Sequence, residues 1–117
     1  MAHFARIIGG KVVSVISLNN EDILDLEFPE SEEKGKDLIE SLGLLGEWVQ
    51  TSYNKNFRGQ FAGIGMEWNG QVFHAPQPFP SWTLDSDGLW NAPVSYPDDG
   101  QAYSWDEEDL AWVLAEA

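Results

Sequence analysis

The chain contains no cysteine. Disulfide cross-links and thiolate metal sites are therefore excluded, stability has to come from packing, and the redox compartment leaves no trace in the sequence. Basic residues are scarce, six Lys and Arg against 20 Asp and Glu, for a net charge of −14. That excess argues against docking on phosphate backbones or anionic lipid, so neither nucleic acid nor a membrane is expected as a partner, while a basic protein surface stays open. The two histidines, His3 and His74, show no HxH or HExxH spacing, and no metal or cofactor is expected. No apolar stretch approaches the roughly 20 residues needed to cross a bilayer, and "MAHFARIIGGKVV" has neither the charged start nor the apolar run of a secretory signal. The expectation is a soluble chain made in the cytoplasm.

At 117 residues the chain fits one domain with one core. The expected fold class is α+β, mostly antiparallel β-hairpins with one or two short helices between residues 20 and 45. An N-terminal hairpin and those helices fill 1–45, and an aromatic-rich hairpin region fills 46–117. "HFARII" and "KVVSVISL" are β-branched, alternating runs joined by Gly9-Gly10, a pair suited to a turn with positive φ. Asn19 and Asn20 are placed to cap a helix through "EDILDLEF" that Pro29 ends. A second helix follows in "PESEEKGKDLIESLGLL", with Leu38, Ile39 and Leu42 as its apolar stripe and Gly43 as its stop. Gly35 weakens its first half, so order is expected mainly from Lys36 to Leu42. "EWVQTSY" alternates as a strand, "FAGIGMEW" reads as extended, and Asn69-Gly70 turns the chain into "QVFHAP".

What the chain has in abundance is aromatic residues: six Trp, three Tyr and six Phe. They recur in a pattern. "FHAPQPFP" and "WNAPVSYP" are near-repeats 17 residues apart, and each lies between hairpin-like units. Trp68, Trp82 and Trp105 precede polar turns, and Phe73, Trp90 and Trp112 follow them, so each unit carries an aromatic on each arm. Proline fixes φ and cannot donate to a sheet, so the Ala-Pro phrases stop one hairpin and redirect the chain into the next. Phe79 and Tyr96 fall where they can pack over the aromatic arms.

Candidate chemistry is thin. "DSDG" at 85–88 and "PDDG" at 97–100 resemble fragments of calcium loops but lack the remaining ligands, and "DEED" at 106–109 suits a solvated tip; Asp, Ser and Gly are also ordinary turn residues. Ser81, Ser95 and Ser104 lack a nucleophile elbow, and "GIG" at 63–65 reads as part of a strand with no helix after it to cradle a phosphate. No catalytic residue is nominated, and the expectation is a protein that is not an enzyme. Trp and Tyr faces beside carboxylates suit sugar stacking, so a carbohydrate-binding module is one alternative. The favoured reading sets the tryptophans in the protein's own core. Pro78, Phe79, Pro80, Tyr96 and Pro97 are then the expected partner-binding residues, an apolar rim that meets another protein chain.

Taken in order, "HFARIIGGKVVSVI", "WVQTSYN", "FAGIGMEWN", "PFPSWTLD" and "WNAPVSYPDDGQAYSWDEEDLAWV" resemble a group of small virion proteins of tailed bacteriophages, marine and cyanobacterial ones in particular. The resemblance spans nearly the whole chain outside 20–45. It implies a structural component of the virion, a capsid decoration or a tail or neck accessory, that docks onto other phage structural proteins and carries no catalytic residues. Members often carry a longer insertion where this chain has only "KNFRGQF". A tail-fibre assembly or adaptor protein is the other alternative, and display in many copies fits a homo-oligomer.

Overall fold

A computed structural model describes residues 1–115. Strands β1 (Ala2–Ile8) and β2 (Lys11–Leu18) form the expected hairpin, with Gly9 at φ 59° and Gly10 at φ 79°, both in the left-handed region that a two-residue hairpin turn requires. The register slips by one between Arg6 and Ile7, where Ile7 pairs with Val12 while Arg6 pairs with Ser14. Val13 is thus the extra residue of a β-bulge. The slip lets Val12 and Val15, an odd number of positions apart, serve the same core cluster.

Strand β3 (Glu47–Thr51) pairs with β1, and β4 (Glu67–Trp68) and β5 (Phe73–His74) extend the other side, giving the antiparallel order β3-β1-β2-β4-β5. Both faces of this sheet are covered. One buries Ala2, Phe4, Leu18 and Trp48 under Ile23 and Ile39; the other buries Ala5, Ile7, Val12 and Val49 under Ala62 and Phe73. This explains why β3, expected to alternate, is buried at four successive positions. At about 1.5–3 kcal/mol per fully buried large apolar side chain, these two layers dominate the stability.

Helix α1 (Glu30–Ser41) is continuous, and Gly35 does not weaken it. It is where the helix touches the sheet. A Cβ on Gly35 would lie 2.1 Å from Cζ of Phe4, so only glycine permits this approach. Leu38 and Ile39 face the core as expected, whereas Leu42 is exposed. Gly43, at φ 78°, ends the helix: its N–H donates to Glu40 O, and Leu44 N–H donates to Ile39 O, a Schellman closure.

Two expected elements differ. The helix through "EDILDLEF" is a single 3-10 turn, Asn20–Ile23, and the Asn19 side chain caps nothing. Leu24 and Asp25 turn left-handed at φ 59° and 53°. Only Ile23 of this segment reaches the core while Leu24 and Leu26 stay exposed, so a longer helix would gain little burial. "FAGIGMEW" is not extended before Glu67, because Met66 N–H donates to Gly63 O, Gly65 sits at φ 92°, and exposed Ile64 forms the turn.

The last two hairpins, β6 (Thr83–Leu84) with β7 (Trp90–Asn91) and β8 (Tyr103–Asp106) with β9 (Ala111–Leu114), do not join the sheet. They follow it as an arm. The molecule measures 53 × 27 × 25 Å with a radius of gyration of 18.1 Å, against about 13 Å for a compact chain of this length.

Candidate docking surface

The arm attaches through tryptophan. The indole N–H of Trp90 donates to Ala75 O at 2.7 Å, and its ring meets His74 edge-on at 5.5 Å. Beside it Gln60 Nε2 donates to Asp87 O at 2.8 Å. Gly88 is buried so closely that a Cβ would lie 2.5 Å from Phe73 O. The next hairpin repeats the device, with the Trp112 indole donating to Val94 O at 2.8 Å. In each case the second-arm tryptophan grips a carbonyl of the proline linker that precedes its hairpin. The acceptors stand at different points of "FHAPQPFP" and "WNAPVSYP", Ala75 just before its proline and Val94 just after Pro93, but in both the proline interrupts strand pairing and leaves a nearby carbonyl to an indole.

The rings form one chain of contacts. Trp105 and Trp112 sit directly opposite each other with centroids 5.1 Å apart, and Trp82 touches both at 5.9 Å. Phe79 packs on Trp82 at 5.5 Å; Tyr96 packs on Trp112 at 4.9 Å and on Tyr103 at 5.8 Å. Sequence reasoning set these tryptophans in the main core, and that is corrected. Trp82, Trp90, Trp105 and Trp112 are all half-buried, and the two core clusters draw their aromatic residues from Phe4, Trp48 and Phe73 instead. The cause is topological. Two-stranded ribbons strung end to end have little to pack against beyond each other and, for the first of them, the edge of the sheet at Phe73–Ala75. In the middle hairpin Leu84, not Trp82, stands opposite Trp90.

Of the expected partner-binding residues, Pro78 and Pro80 are exposed, and Phe79 and Pro97 are half-buried. Tyr96 is 51% exposed, while its Oη accepts from Tyr103 N–H at 2.9 Å. Phe79 and Tyr96 are brought onto the same aromatic chain through Trp82 and Trp112. Leu114, two residues from Trp112, is exposed on the ribbon face of the Trp105/Trp112 pair, Val113 is exposed on the other face, and Leu89, Val94 and Leu110 are exposed elsewhere on the arm, none of them singled out from the sequence.

The acidic turns are occupied with themselves. Asp85 Oδ1 accepts from Asp87 and Leu89 N–H, and Oδ2 accepts from Asn91 Nδ2, all at 2.9 Å. Those bonds, led by Leu89, hold its carboxyl below the usual range. Asp99 accepts from Tyr103 Oη and from Gln101 N–H, which lowers its pKa and raises that of Tyr103. Asp106 accepts from Asp109 N–H. A cleft of about 590 Å³ between the turns at Asn69 and Asp85 is lined by Arg58, Gly59 and Val72, and both turn side chains are spent on their own backbones. Among the described residues no group of three His, Asp or Glu is placed to hold a metal ion.

Arg58 serves the sheet. It forms a bidentate pair with Glu32, donates to Gln50 O at 3.1 Å, and lies over the rings of Phe28 at 4.8 Å and Trp68 at 5.4 Å. Glu32 Oε2 accepts from Gln50 N–H at 2.8 Å, so the pair caps the outer edge of β3. Burial alone would raise the Glu32 pKa, but the bonds from Arg58 and Gln50 and the guanidinium charge hold it below its ordinary value.

Charge is divided unevenly along the chain. All six Lys and Arg lie at or before Arg58, against ten acids there, whereas residues 59–117 hold the other ten acids and no base. The chain matches no protein-family model, no curated protein and no solved structure.

Proposed function

We infer that the chain is a non-enzymatic structural subunit of a tailed-phage particle, a capsid decoration or a tail or neck accessory, that works by docking its arm onto another virion protein. The observation that carries this is the arm itself. A doubly covered sheet needs no further layer for its stability, yet the chain continues into two hairpins whose rings remain half-buried and whose flanks expose Leu89, Tyr96, Leu110 and Leu114. Exposed apolar side chains beside half-buried rings are what a protein partner buries. The virion assignment is supported by the phrase-by-phrase resemblance, and the docking mode by the arm.

Mass spectrometry of purified particles tests it: the chain is expected at a fixed copy number relative to the capsid or tail proteins. Its absence from particles contradicts the reading, and co-purification with free fibre chains would point to an assembly adaptor instead. Sugar binding is less favoured, because the indole faces are met edge-on by neighbouring rings; a glycan array is expected to be blank.

A further inference from the structure

We propose that the outer edge of β9, Ala111–Leu114, receives an extended Lys- or Arg-bearing segment of the partner as an added antiparallel or parallel strand. This rests on the docking reading above and names the partner's chemistry. Ala115 N–H donates to Ala102 O at 2.9 Å, which fixes Ser104/Val113 and Asp106/Ala111 as the hydrogen-bonded pairs of the ribbon and Trp105/Trp112 and Tyr103/Leu114 as the alternate ones. The backbone groups of Trp112 and Leu114 therefore point away from β8. Among the described residues nothing bonds the N–H of either.

Three other edges carry covering bonds. Glu32 and Arg58 cap β3, Phe73 of β5 exchanges bonds with Arg58 and Gln60, and the Tyr96 hydroxyl covers Tyr103 N–H on the outer side of β8. β9 is short, but it holds no proline and no charge, its sequence is "AWVL", and among the described residues no side chain bonds its outward N–H groups. An open apolar edge is a template for strand addition, with backbone bonds giving affinity and alternate side-chain contacts giving specificity.

Charge selects the occupant. A second copy would bring another arm free of Lys and Arg against this one, eight acids facing eight across residues 79–115. Like charge at that density opposes self-pairing and attracts a basic segment. Glu107 is turned onto Ser81 N–H and Asp99 onto Tyr103, but exposed Glu108 and Asp109 at the ribbon tip and exposed Asp98 beside Asp99 leave carboxylates for cationic side chains of an added strand.

The test is fluorescence anisotropy of the full chain with synthetic ten-residue peptides of alternating Arg and Val, Ser and Val, or Glu and Val, and an Arg-Val peptide N-methylated along one edge. The Arg-Val peptide is expected to bind at least about tenfold more tightly than the other three. Raising salt from about 50 to about 300 mM should weaken it several-fold. Leu114→Pro removes an outward N–H, along with the exposed leucine side chain, and should reduce binding by about tenfold or more, against little change for Leu114→Ala, which keeps the N–H, while the exciton signal of the Trp105/Trp112 pair in circular dichroism shows that the ribbon remains formed. If the proline variant loses the signal, Glu108→Gln with Asp109→Asn serves in its place, and a several-fold loss is expected. Equal binding of the Ser-Val or N-methylated peptide, no Arg-Val binding, or unchanged binding by the proline or charge variants with an intact ribbon overturns the proposal. Peptide binding by a chain absent from particles would sink the virion reading alone; presence in particles without peptide binding would sink this one alone.

Discussion

Gly35 shows how one residue sets the distance between two layers. Alanine is better than glycine in a helix by about 1 kcal/mol, yet here its methyl would overlap the Phe4 ring. Gly35→Ala is expected to destabilise by about 1–3 kcal/mol, the usual range for overpacking, and urea denaturation measures it; a gain in stability would show that the helix can lift off Phe4 freely. Trp112 is a different case, because it is half-buried. Its replacement by Ala should remove about 2 kcal/mol from the arm, roughly half the loss for a fully buried ring, while Trp112→Phe, which gives up the bond to Val94 O and some ring packing but keeps an aromatic face, should lose about 1 kcal/mol. Glu32 supplies a pH signature. Its folded pKa lies below its ordinary value of 4.5, so the Arg58 pair stabilises fully above that value and the stabilisation is lost as pH falls through the lower folded pKa. Thermal melts of the wild type and Glu32→Gln should therefore differ most near neutrality and converge in acid.

At the scale of elements, turn chemistry made the hairpins legible. Gly9-Gly10, Asn69-Gly70 and the acidic turns each mark a reversal, and each reversal is present. What stayed hidden depended on partners distant in sequence. Gly35 reads as a helix breaker until Phe4 is seen beneath it, and "EDILDLEF" reads as a helix until only Ile23 finds a core to enter. The bulge at Val13 and the capping of β3 by residues 32 and 58 are likewise tertiary facts. The arm elements are short ribbons with little burial, so they should open before the sheet does. Hydrogen exchange is expected to be faster at the amides of Thr83–Asn91 and Tyr103–Leu114 than in β1 and β3; equal protection would mean that arm and sheet unfold as one unit.

Across the whole molecule, the sequence placed one core along a series of aromatic hairpins, and the structure separates two roles. Aliphatic strands, α1, Trp48 and Phe73 build the body, and the other hairpin tryptophans fasten an arm to it through linker carbonyls. The repeated proline phrase was readable as a joint; that its carbonyls receive indoles was not, because the donors lie 15 and 18 residues away. The uneven charge was readable too, as a simple lack of Lys and Arg after position 58, and it matters only once the later part of that stretch, beyond β5, is seen to form a projecting arm. Docking through that arm is the central claim. Hydrogen exchange of the chain, free and mounted on its particle, tests it most directly: slowed exchange confined to the arm from residue 79 onward, greatest in β9, is predicted, and protection confined to α1 or the sheet with the arm unchanged would contradict it.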